Sequence, residues 1–109
     1  MSDQRRGRYR YTIKLKGSVK SDKKFREQNP GYEGRKPCYY VGTSIHEPEV
    51  RFKQHLAGYK AARIAKKFGV RLEAKYCKRL GTSDTRSAEK KEAAYAAWLR
   101  KQGYGVYQN

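Results

Sequence analysis

Cys38-Tyr39-Tyr40-Val41-Gly42 and, beyond the step Glu47-Pro48-Glu49, Arg51-Phe52-Lys53-Gln54-His55 read as a short strand that passes into a helix. Tyr40 and Gly42 fall on one face of that strand, Tyr39 and Val41 on the other. Pro48 suits a first helical turn, where a missing N–H costs little, and the flanking carboxylates favour the positive end of the dipole. The helix is expected to run through Leu56. At 100° per residue Phe52, Leu56 and Tyr59 form its apolar stripe, with Arg51 and His55 side by side along the edge of that stripe.

Upstream, Tyr9, Tyr11, Ile13 and Leu15 alternate with Arg8, Arg10, Thr12 and Lys14, the period of a half-buried strand. Residues 1–8 are basic and polar and read as a flexible N-terminal segment ahead of one domain over 9–109. Residues 17–37 are rich in Lys, Ser and Gly around the turn signal Asn29-Pro30-Gly31, and read as a long basic loop. Downstream, Ala61, Ala62, Ile64, Ala65 and Phe68 continue a helical pattern that Gly69 ends. Val70, Leu72, Ala74 and Tyr76 then alternate with charged residues as a third strand. A last helix runs from about Thr85 to Gln102, with Ala88, Tyr95, Ala96 and Leu99 as its buried stripe. The sum is an α+β fold, a small and mainly antiparallel three-stranded sheet flanked by helices.

At 109 residues the chain fits a single domain. Its 27 Lys plus Arg against 10 Asp plus Glu give a formal charge of +17, which calls for a polyanionic partner, nucleic acid first. The charge is spread: twelve Lys or Arg against four Asp or Glu in residues 1–36 give +8, which leaves +9 for the rest. No apolar run approaches the ~18 residues of a membrane span, and the opening residues lack the apolar core of a signal peptide. The expected setting is therefore cytoplasmic, with no membrane partner. Cys38 and Cys77 lack metal-ligand spacing and read as buried free thiols.

Glu92 departs from a purely structural pattern. Its neighbours one turn away include Ala88, Tyr95 and Ala96, so it projects from the core-facing stripe of the last helix. Burial there requires a cation, a hydrogen-bond donor or protonation, and a salt bridge to an Arg is the plain alternative. Arg51 and His55 put a permanently charged fork and a proton-exchanging ring on one helical face, a pair common enough on phosphate-binding surfaces. Tyr11 and Tyr40, on adjacent strands, could present two phenols to one pocket, although tyrosine also suits a half-buried strand for packing alone.

Taken together, Tyr9-Arg10-Tyr11, Tyr40-Val41-Gly42, Arg51 with His55, and Glu92 resemble the GIY-YIG nuclease family. In that family the tyrosines of two motifs, an Arg with a His four residues on, a Glu and a later Asn line one active site. The resemblance spans residues 9–109, with departures. The first motif reads Tyr-Arg-Tyr, so only Tyr11 carries over; the connection between the motifs is longer than usual; and the Asn can be matched only to Asn109.

The resemblance implies hydrolysis of DNA phosphodiesters with a divalent cation, Mg²⁺ or Mn²⁺, held by Glu92. It also implies Tyr11 or Tyr40 as the group that activates water, Arg51 on the phosphate, and His55 bonded to a tyrosine, relaying its proton or orienting phosphate. Gly42 and Asn109 would help position substrate. The DNA could be branched or damaged, with a targeting partner protein or a second copy supplying selectivity. The competing expectation is a non-catalytic basic nucleic-acid-binding module, ribosome-associated or architectural, which accounts for the charge but not for Glu92.

Overall fold

A computed structural model describes residues 7–109, so most of the segment expected to be flexible over 1–8 lies outside the described residues. Five strands form one sheet: β1 (Tyr9–Leu15), β2 (Cys38–Ser44), β3 (Gly69–Leu72), β4 (Lys78–Arg79) and β5 (Gly105–Tyr107). Four helices accompany them: α1 (Lys23–Gln28), α2 (Pro48–Ala57), α3 (Arg63–Phe68) and α4 (Thr85–Lys101). The sheet order is β3-β1-β2-β5, with β4 also paired to β1.

β1 and β2 are antiparallel from Tyr9 opposite Ser44 to Leu15 opposite Cys38, which sets Tyr11 opposite Gly42 and Ile13 opposite Tyr40. Tyr11, Ile13, Leu15, Cys38 and Tyr40 face a core completed by Phe25 of α1 and Ile64, Ala65 and Phe68 of α3. Tyr39 and Val41 face the other way, onto Ala96 and Leu99 of α4. Period two thus sorts the strand residues between two cores, and both faces of the sheet are covered. Thr12, on the face expected to be solvated, is fully buried, and its hydroxyl donates to the Tyr76 carbonyl at 2.8 Å.

The expected three strands become five because two of them are too short to leave an alternation signal. The run from Val70 to Tyr76 is not one strand: β3 ends at Leu72, a 3-10 turn spans Ala74–Tyr76, and β4 resumes pairing along the same side of β1. Arg10 Nε and Thr12 Oγ1 both donate to the Tyr76 carbonyl, which satisfies the backbone where the ladder is broken. β5 runs parallel to β2, with Val106 opposite Tyr39 and Tyr107 opposite Tyr40.

The segment 17–37, expected as a long basic loop, carries two short helical elements. A 3-10 turn over Gly17–Ser21 leads to α1, whose N-cap Asp22 accepts from the Phe25 N–H at 3.0 Å. Val19 and Phe25, its buried apolar pair, are too few to show a period, yet both are completely enclosed. The Phe25 ring presses on Gly105, where any Cβ would fall 2.6 Å from the ring. At the end of α1 two amide side chains act as a strand. Asn29 donates to the Val106 carbonyl at 2.9 Å and accepts from the Val106 N–H at 2.8 Å. Gln28 treats residue 108 alike, donating to its carbonyl at 2.7 Å and accepting from its N–H at 3.0 Å. Arg100 donates to both amides and to the Val106 carbonyl, locking the arrangement to α4.

Asn29→Ala is expected to lower unfolding stability by about 1–3 kcal/mol, because it leaves the Val106 N–H without its partner, while the Val106 carbonyl keeps the Arg100 bond. Urea denaturation measures it, and a loss under 1 kcal/mol would show that β5 finds other partners.

Candidate functional site

A pocket of about 490 Å³ opens where β2 continues past the end of β5, and Tyr11, Tyr40, Gly42, Arg51, Glu92 and Asn109 are among the residues lining it. Four separate elements and the C-terminal tail meet there. The two strands deliver Tyr11 and Tyr40 on one face, with ring centroids 6.0 Å apart. The Tyr11 ring lies over Gly42, so close that a Cβ at that position would fall 2.5 Å from its Oη. Glycine here makes room for the phenol.

His55 does not line the pocket. It is α2's one buried residue, 1 % exposed, while Leu56 and Tyr59 of the expected apolar stripe stay exposed. The cause is its pair of partners. His55 Nδ1 accepts from the Ala62 N–H at 3.2 Å and is therefore unprotonated, so the ring proton sits on Nε2 and donates to Tyr11 Oη at 2.8 Å. Burial and the neighbouring Arg51 charge push the His55 pKa down to about 4. The bond to Tyr11 is the first of the three arrangements that the resemblance implied for His55.

This state has a measurable consequence. The His55 ring resonance is expected to titrate near pH 4 in an NMR pH series that separates it from His46, the chain's other histidine. The unfolded chain takes up that proton from about pH 6.5, so the folded state loses stability as pH falls from there towards 4. A midpoint above 6 would overturn the assigned tautomer and its burial.

Arg51 lines the pocket and also braces the loop after α2. Its Nη1 donates to Gln54 Oε1 at 3.0 Å and to the Tyr59 carbonyl at 3.2 Å, while Nη2 donates to the Lys60 carbonyl at 2.7 Å. Lys60 adopts a left-handed conformation with φ 45°, unusual for a residue with a side chain, and the guanidinium holds its carbonyl. Three of the five guanidinium donors are engaged in this way.

Glu92 is 9 % exposed on the core-facing side of α4, and no cation among the described residues forms a salt bridge with it. Its Oε2 accepts from Gln108 Nε2 at 2.9 Å. Burial, with some repulsion from Glu89, raises its pKa, and the Gln108 bond partly offsets that. Glu89 also lines the pocket. Asn109 Nδ2 donates to Tyr40 Oη at 3.2 Å. Gln108, which sequence reasoning passed over, is held by the Gln28 clamp and in turn orients Glu92; no spacing rule ties it to the carboxylate.

The two phenols differ electrically. Burial raises both; the Arg51 charge and hydrogen bonding offset part of this for Tyr11, which stays above an ordinary phenol, whereas Tyr40 is pushed much further up by burial and by Tyr11.

The donor set suits a hard divalent cation. No group of three or more His, Cys, Asp or Glu occurs among the described residues, which disfavours a closed zinc-type cage. A buried carboxylate beside a polar pocket fits an ion that keeps most of its waters and takes substrate oxygens as ligands.

Residues 20–105 match the family model of the GIY-YIG catalytic domain. The match includes Tyr40, Gly42, Arg51, His55 and Glu92, and leaves Tyr11 and Asn109 outside it. No curated protein and no solved structure matches the chain.

Proposed function

The chain belongs to the GIY-YIG family, and on that premise we propose that it is a divalent-metal-dependent endonuclease that hydrolyses DNA phosphodiester bonds in the pocket between Tyr11 and Glu92. The observation that carries this reading is a buried carboxylate without a cationic partner among the described residues, in the same pocket as a guanidinium and two phenols.

Each residue then has a task. Arg51 binds a non-bridging phosphate oxygen with donors its loop contacts leave over, and stabilises the charge that builds as phosphorus becomes five-coordinate. Tyr11 in its phenolate form takes the proton of the attacking water; the His55 N–H stays on its oxygen and stabilises that ionised form. Tyr40, held neutral by its higher pKa and oriented by Asn109, donates its hydroxyl proton to the phosphate. Glu92, oriented by Gln108, would hold the cation, which supplies Lewis-acid stabilisation of the departing oxygen. Gly42 keeps the floor of the pocket open beside Tyr11.

The +17 charge supplies affinity for DNA of any sequence, and binding would weaken by about 0.9 log unit per log unit of salt for each phosphate neutralised. Such a domain acts on intracellular DNA and takes selectivity from DNA structure, a partner protein or a second copy. No helix among the described residues is long and apolar enough to cross a membrane.

Supercoiled plasmid incubated with wild-type protein and Mg²⁺ or Mn²⁺ is expected to be nicked, and chelation with EDTA to stop it. Absence of cleavage on supercoiled, nicked and branched DNA alike would overturn the nuclease reading in favour of a nucleic-acid-binding module. Arg51→Ala is expected to lower the nicking rate by roughly 10²- to 10³-fold, the cost of removing one preorganised charge-stabilising donor. Arg51→Lys separates the two tasks of the side chain, since it keeps the charge and gives up the forked grip on the loop carbonyls.

A further inference from the structure

The chain's one tryptophan, Trp98, is 50 % exposed on the outer side of α4, away from the stripe of Ala88, Ala96 and Leu99 that holds the helix to the sheet. Packing does not require an indole there. Its ring lies nearly parallel to Tyr95, at 24° and 5.7 Å between centroids, and the Arg10 guanidinium sits 3.5 Å from the centre of the Tyr95 ring. Arg10 is fixed in turn by its bond to the Tyr76 carbonyl, and Tyr76 packs against Tyr95 at 6.2 Å. The indole is thus held by a rigid aromatic and cationic base. Tyr59 is also an exposed ring, with Lys60 Nζ 5.6 Å from it, but no ring stacks beneath it among the described residues, and the exposed side chains Ile45, Val50, Leu56 and Val70 offer no ring.

The surroundings are cationic. Lys91 and Lys101, two turns before and one turn after Trp98 on α4, are exposed, and Lys75 Nζ lies 5.2 Å from the Tyr76 ring. A flat ring with a free surface among lysines is the combination that binds unpaired nucleotides, whose bases stack while their phosphates meet cations. In an intact duplex the base faces are occupied by one another. Trp98 also lies six residues beyond Glu92 on the same helix, about 9 Å along its axis and about 120° around it, so a strand that reaches both passes around the flank of α4.

We propose that Trp98, stacked on Tyr95, is a binding platform for an unpaired nucleotide, and that the substrate class of the Glu92 site is DNA that carries a single-stranded segment able to pass around α4. The substrate half of this statement rests on the nuclease reading; the platform does not.

The sole tryptophan makes the test direct. Wild-type protein in EDTA is titrated with a short oligothymidylate and with a blunt duplex of equal length at fixed salt. Saturable quenching of the indole emission by the single strand, and much weaker quenching by the duplex, is expected. Read by anisotropy of labelled oligothymidylate, Trp98→Ala should lower single-strand affinity roughly 5- to 100-fold, the effect of losing one base stack, while duplex affinity stays within about twofold. Trp98→Phe should recover most of it, and far-UV circular dichroism checks that both variants fold. Equal affinities for wild type and Trp98→Ala overturn the platform, as does quenching that follows protein concentration instead of DNA, which would mark a contact between two copies. Because binding is read without metal, a platform that quenches in a protein that never cuts DNA overturns the nuclease reading alone. A protein that nicks plasmid but shows no single-strand quenching overturns the platform alone.

Discussion

Glu92→Gln is expected to lower metal-dependent nicking by on the order of 10³-fold and, in the same protein, to raise stability against unfolding. The loss follows from removing the carboxylate that would hold the cation, whose stabilisation of transition-state charge is worth several kcal/mol at about 1.4 kcal/mol per tenfold in rate. The gain follows from burial, which raises the Glu92 pKa because the folded protein disfavours the charged form. Below the unfolded-state value, near 4.5, both states are protonated and the substitution changes little. As pH rises, the unfolded chain ionises first, and the wild type loses stability relative to the variant until the folded carboxyl has also ionised. Glutamine keeps an oxygen that accepts from Gln108 Nε2 and adds no charge. Thermal melts of both proteins in EDTA at pH 4 and pH 7 measure the difference, beside the plasmid assay with Mg²⁺. A variant less stable than wild type at pH 7 would mean that the buried carboxylate is already compensated by a partner.

Tyr11→Phe is expected to reduce nicking by about 10²- to 10⁴-fold, the usual contribution of a positioned proton acceptor. It should also flatten the rise of the rate with pH, since the phenolate that gives that rise is gone. Tyr40→Phe should be less damaging and keep the pH dependence, because Tyr40 serves as a neutral donor. The inequality rests on surroundings: Tyr11 has the His55 N–H on its oxygen and Arg51 beside it, whereas Tyr40 is pushed up much further and is met by the Asn109 amide. Phenylalanine at 11 leaves the buried His55 N–H without an acceptor, at about 1–3 kcal/mol of stability, so melts must accompany the kinetics. A Tyr11→Phe rate within tenfold of wild type, with Tyr40→Phe inactive, would exchange the two roles.

How far the sequence could be read depended on the length of each signal. β1 and α4 carry long periods, and the reading of α4 ends within one residue of its observed end. β4 and β5, two and three residues long, carry none. α1 was hidden because Phe25 is its whole buried content and most of its other residues are charged. Periodicity misjudged α2 for a different reason. It ranks side chains by hydrophobicity, whereas His55 is buried by two specific hydrogen bonds, one of them to the backbone of Ala62, seven residues on. The site residues stood out where their chemistry conflicts with their position, as with a carboxylate on an apolar stripe. Gln108 sits on no stripe and creates no conflict, so only the fold brings it to Glu92.

The amide pair Gln28 and Asn29 alters how sequence variation along this chain should be weighed. Insertions between two strands are ordinarily the most tolerated differences among relatives, free to lengthen or shorten at the surface. Here the segment before β2 stands in for a neighbouring strand and ties down the residues that reach Tyr40 and Glu92, so the middle and the far end of the chain are one structural unit. A shorter connection would have to arrive together with a new way of holding the tail, and a chimera that exchanges one without the other would lose the pocket while keeping every residue that lines it.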